Sequence, residues 1–105
     1  MEHLDSNFKR LVEEVKKGSG AKLRLILTHA TQLEMGALRM VGKNESIEKE
    51  LMNIVRAAKL IIGDITQNRS LYEIIGRARA QFNTINENLK AAAAVLKYVY
   101  EEITT

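Results

Sequence analysis

A chain of 105 residues with no proline, tryptophan or cysteine, and with aromatic residues at only 5%, has the composition of a helical bundle and not of a β-sandwich or barrel. The missing cysteines exclude disulfide staples, thiol catalysis and thiolate metal sites together, and they suit a reducing compartment. The formal net charge of +3 is mild, so any pull on a charged partner has to come from local clustering.

This length is enough for one hydrophobic core and too short for two, so a single helical domain over 1–105 is expected. The opening "MEHLDSNFKR" lacks a basic start followed by an apolar core. No apolar run approaches the roughly 18 residues of a membrane span. A soluble, cytoplasmic protein without a membrane partner is the expectation. Three stretches break the periodic pattern: Gly18-Ser19-Gly20, "GKNES" at 42–46 and "QNRS" at 67–70. Three breaks leave four segments.

The first segment places Leu4, Phe8, Leu11, Val12 and Val15 at helical spacing, with Asp5 or Ser6 available to cap its free amides. It closes in Lys16-Lys17 and Gly18, which suits the negative end of a helix dipole and a stop. The second, from about Ala21 to Val41, carries Leu23, Ile26, Leu27, Ala30, Leu33, Ala37, Leu38 and Val41 on one face. Leu25, Gly36 and Met40 widen that face to roughly 220° at about 100° per residue. So broad an arc predicts the most buried helix of the four.

The third segment, about Ser46 to Gln67, has Ile47, Leu51, Ile54, Val55, Ala58, Ile61, Ile62 and Ile65 in one stripe, with Asn44 or Ser46 as a cap. Isoleucine is a mediocre helix former, but the period is 3.6 and not 2. The fourth opens with a Ser-x-x-Glu capping box, Ser70 to Glu73. From there Ile75, Ala78, Phe82, Ile85, Leu89, Ala92, Leu96, Val99 and Ile103 alternate in steps of three and four, a heptad seam of coiled-coil type.

The predicted architecture is therefore an all-α four-helix bundle with a long C-terminal heptad-patterned helix. At about 1.5 Å per residue, an unbroken helix over 71–103 is roughly 50 Å long and overhangs its own partners unless Gly76 or Asn86 bends it. Its far end also carries a second apolar stripe, Ala91, Ala94, Val95 and Tyr98. Upstream, Ala80, Thr84, Glu87 and Asn88 make the corresponding face mainly polar. Two apolar faces call for two sets of neighbours. The expectation is a homodimer, or a higher assembly, built on Ala91, Ala94, Val95, Leu96, Tyr98 and Val99. The plainer alternative packs "AAAAVL" against the first helix of a monomer, with the Tyr98 hydroxyl in water.

Candidate chemistry is sparse. Lys16, Lys17, Lys22 and Arg24 cluster about the glycine turn as a possible anion site, although such charge is more often a solvated face. With Arg69, Arg77, Arg79, Gln81, Asn83 and Asn86 they support a second reading, a nucleic-acid-binding accessory protein. No helix-turn-helix pattern or stacking aromatic set accompanies them. Glu34 falls between Leu23 and Leu27 by helical angle, inside the apolar arc, where a carboxylate needs a basic partner from another helix or subunit. No second carboxylate or histidine at i+3 or i+4 makes it a catalytic pair.

His29 gives a third reading. "THATQLEMGALRMVG" resembles the histidine phosphotransfer domains in setting a histidine mid-helix with Gly-Ala downstream. It departs from their motif in having Gln32-Leu33 where a lysine-glycine pair follows the histidine. That resemblance implies an all-α domain with an exposed imidazole as phosphoryl acceptor. By angle His29 falls at the edge of the apolar arc, which fits a boundary histidine hydrogen-bonded to a neighbour. His3 and His29 form no metal-ligand spacing, and "GSGAK" lacks the terminal Lys-Ser/Thr of a phosphate loop, so no cofactor is expected. The function expected from sequence is a small non-enzymatic interaction or assembly module.

Overall fold

Each of the three breaks ends a helix. In the computed structural model, α1 spans Glu2–Lys16, α2 Leu23–Val41, α3 Glu48–Thr66 and α4 Leu71–Thr104. Residues 1–104 are described, with side chains through Val99, so Ile103, the last seam position, lies outside the described side chains. The described residues form four helices and no strand.

Side-chain contacts fix the directions of the helices. Leu4 near the start of α1 lies against Gly36 late in α2, while Glu14 late in α1 bonds Lys22 at the start of α2. These two helices are therefore antiparallel. Asn53 with Asn88, and Asp64 with Arg77, establish the same for α3 and α4. α2 packs on α3, and α1 and α4 close the ring more lightly. That closure includes Phe8 and Phe82, edge to face with centroids 5.7 Å apart at 82°. With such short connections the result is an up-down-up-down bundle.

The helix ends depart from the expected caps. α1 begins at Glu2 with Met1 as its cap, so Asp5 and Ser6 lie inside the helix. Asn44 and Ser46 do not cap α3. The segment Glu45–Ile47 is a 3₁₀ turn, Ile47 is the cap position, and the Asn44 amide instead donates to the Met40 carbonyl at the end of α2. The box at Ser70 forms in part. The Glu73 N–H donates to Ser70 Oγ at 3.2 Å, and the hydroxyl donates back to the Glu73 carboxylate at 3.3 Å. Two C-termini turn through positive φ, Gly18 after α1 (61°) and Asn68 after α3 (59°). Around Asn68, the Asn68 and Arg69 amides bond the Ile65 and Asp64 carbonyls, which is a Schellman closure with asparagine in the left-handed position.

The most buried helix is α3, not α2. Leu51, Ile54, Val55, Ala57, Ala58, Ile61 and Asp64 are all buried on α3, against Ile26, Ala30, Leu33 and Ala37 on α2. The apolar arc of α2 is wider than the arc its neighbours cover. Leu23 and Leu38, near its two ends, are about two-fifths exposed. α4 has no kink. Its 34 residues at about 1.5 Å each match the 51 Å long axis of the molecule. Its seam is buried at Ile75, Ala78, Ile85, Leu89 and Ala92.

Glycine separates two kinds of helical position. A Cβ on Gly36 would come within 2.9 Å of Leu4 Cδ2, whereas one on Gly76 would meet nothing within 4 Å. Gly76→Ala is expected to raise stability by about 0.5–1 kcal/mol through helix propensity. Gly36→Ala is expected to lose that gain to overpacking against fully buried Leu4. Urea unfolding midpoints of the two variants check the contrast.

Candidate interaction surfaces

The far end of α4 is where burial runs out. Leu89 and Ala92 are buried, Leu96 and Val99 are half-buried, and Ala91, Ala94 and Tyr98 are exposed, Tyr98 at 64%. Val95 is half-buried and packs, with Leu96, against the bundle core. It therefore belongs with the seam side of the helix and not with the outward stripe of Ala91, Ala94 and Tyr98. The reason is angular. Val95 sits at the margin of the stripe nearest α3, where the turn before α3 touches α4.

The basic turn is organised by a residue that sequence reasoning missed. Glu14 is buried at 4% exposure, and its carboxylate accepts from the Lys22 amide at 2.9 Å and from Lys17 Nζ at 3.0 Å. Lys22 is the cap position of α2, which has no side-chain cap and no acidic residue in its first turn. Glu14 thus supplies from α1 the negative charge that the start of α2 lacks. Those hydrogen bonds hold its carboxyl below the ordinary 4.5, with smaller electrostatic help from Lys17 and His29. The capless start "AKLR" was the one available signal. Of the four expected anion-site residues, Lys17 is thereby drawn into an internal pair. Lys16, Lys22 and Arg24 are exposed, with no ion pair among the described residues.

Glu34 is not the buried carboxylate. It is half-buried, and it makes no ion pair within the described chain. Its angular neighbours explain this. Leu23 is partly exposed and Leu27 is half-buried, so all three residues flank the core and do not centre it. His29 is also half-buried, with Nδ1 enclosed and without a hydrogen-bond partner, so the expected bond to a neighbour is absent at that nitrogen.

The second buried carboxylate is Asp64, near the end of α3, at 6% exposure. Arg77 Nε donates to Oδ2 at 2.7 Å. Arg69 Nε lies 3.2 Å from Oδ1 without aiming its N–H there. Asp64 in turn raises the Arg77 guanidinium further above its usual range. Two arginines offset a negative charge that sits unfavourably near a helix C-terminus. Arg69 also reaches Glu73 at 3.4 Å, and Arg77 is committed to Asp64, so neither is free for a phosphate backbone.

These features define an up-and-down helical bundle with one overhanging helix, two internal charge clasps and one basic turn. No helix among the described residues is long and apolar enough to cross a membrane, and no group of three or more His, Cys, Asp or Glu side chains could hold a metal ion there. No protein-family model matches the chain, and comparison with curated proteins and with solved structures returns no significant match.

Two outcomes test the clasps. Because the Glu14 carboxyl is depressed in the folded state, its contribution is present above about pH 4.5 and is lost as pH falls through the folded value. Glu14→Gln is expected to flatten the acid limb of a stability-against-pH curve and to lower stability at neutral pH. Asp64→Ala should cost about 1–3 kcal/mol by leaving the clasp without its acceptor, measured by urea unfolding at pH 7.

Proposed function

We propose that this chain is a small non-enzymatic assembly module, a cytoplasmic homodimer formed through the free end of α4. One observation carries the reading. α1, α2 and α3 have 15, 19 and 19 residues, so they extend about 22–28 Å, while α4 runs the full 51 Å long axis. The apolar seam continues past its last cover, from Ala92 to half-buried Leu96 and Val99, and exposed Tyr98 lies beside it. A second copy supplies the same seam in return, and a symmetric pair of helices closes on itself without leaving a further apolar face. Ala91 and Ala94 allow the close approach that such a pair needs. Tyr98 is the natural anchor, since it adds large apolar area and a hydroxyl that stays wet.

The basic turn favours a second reading, binding of nucleic acid through exposed Lys16, Lys22 and Arg24. Such binding is sequence-independent and strongest at low salt.

Sedimentation equilibrium over a wide concentration range is expected to report a dimer for the native chain. Tyr98→Glu and Ala94→Glu, both at exposed positions, should weaken it by roughly tenfold or more with unchanged helical circular dichroism. A monomer at every concentration overturns the assembly reading. Absence of DNA or RNA binding in low-salt titrations removes the second.

A further inference from the structure

At the end of the bundle where α1 begins and α2 finishes, the outer surfaces of these two helices enclose a groove of about 490 Å³. That volume lies in the range of small-molecule sites. Its composition differs from the rest of the surface. Three of the four methionines of the chain, Met1, Met35 and Met40, line it together with the buried side chain of Leu4. Methionine is the side chain that adapts its shape to an apolar guest most readily.

The polar lining is equally one-sided. Arg10 stands on the α1 wall and Arg39 on the α2 wall, with His3 on the same α1 face. No Asp or Glu lines the groove, although the chain has 13 of them. Neither arginine forms an ion pair or a side-chain hydrogen bond among the described residues, in contrast to Arg69 and Arg77, which are held by Asp64. Asn7, half-buried near the Gly36 floor, likewise has no side-chain hydrogen bond. Two uncommitted guanidinium groups on opposite walls, above a methionine-lined floor, are complementary to a carboxylate carried on an apolar body.

We infer that this groove is a binding site for a medium-chain fatty carboxylate or a carboxylate of similar shape, with Arg10 and Arg39 holding the anion and Met1, Met35 and Met40 holding the chain. The site is independent of the proposed dimer, since it uses no residue of α4. The close α1–α2 contact at Gly36 and Leu4 forms its base, so the groove exists in the isolated protein and needs no opening step.

The test is a titration of the native chain with decanoate, read by amide nuclear magnetic resonance, with 1-decanol and acetate as the two half-ligands. Decanoate is expected to give saturable shifts centred on Leu4, Asn7, Met35, Gly36 and Arg39. Decanol and acetate should each bind at least about tenfold more weakly. Arg10→Gln with Arg39→Gln, both exposed and therefore harmless to the fold, should raise the decanoate Kd by about tenfold or more. Met35→Gln should weaken it with the charges intact. The proposal is overturned if decanoate shows no saturable shifts in the groove, if decanol binds as well, or if the double arginine variant binds unchanged. It is also overturned if the same amides shift with protein concentration alone, because a second copy would then be the occupant.

Discussion

Four apolar stripes have to share one core, and one of them is far longer than the rest. α4 at 34 residues cannot be matched along its length by helices of 15 and 19 residues, and nothing in its interior bends it. Near its beginning α4 is set by α3 through Asp64 with Arg77, further along by Asn53 with Asn88, and by α1 through Phe8 with Phe82. Once that register is fixed, the position of every later residue of α4 follows from the helical rise. The overhang is therefore a consequence of where the first half docks.

The two buried carboxylates do related work at the two hairpins. Glu14 joins the end of α1 to the start of α2, and Asp64 joins the end of α3 to α4. Each lies close to a turn and each has cationic or amide partners within a few residues of that turn. Such groups contribute little when exposed and cost much when left without partners. Their value here is geometric, because they fix how far one helix can slide along its neighbour. The apolar stripes alone would tolerate slippage by a turn.

The helices were legible because a 3.6-residue period in the apolar residues is strong in all four segments, and Gly18, Gly42 and Asn68 mark their ends. Burial was less legible. A helical angle says that Glu34 shares a flank with Leu23 and Leu27, but not whether a neighbouring helix covers that flank. Coverage depends on interhelical packing, which the period does not encode. Glu14 and Asp64 were missed for the opposite reason. Each belongs to a polar arc in its own helix and is buried only because a turn or the next helix closes over it. The caps at Asp5, Ser6, Asn44 and Ser46 failed since capping residues are common in loops, and tertiary packing decides at which turn a helix begins. Val95 shows a finer limit, as a shift of a few tens of degrees moves a residue from an outward stripe to a core margin.

The order of the helices around the bundle has a kinetic meaning. Neighbours in space are neighbours in sequence, and the connection holding each antiparallel pair is only a few residues long. The hydrogen bond from Lys22 to Glu14 spans eight positions, and that from Arg77 to Asp64 spans thirteen. Such contacts close small loops at small entropic cost, and chains dominated by them fold in microseconds to milliseconds. Each hairpin carries its own charged latch, so either can form before the other. Docking the two then leaves the tail of α4 as the last apolar surface to find cover.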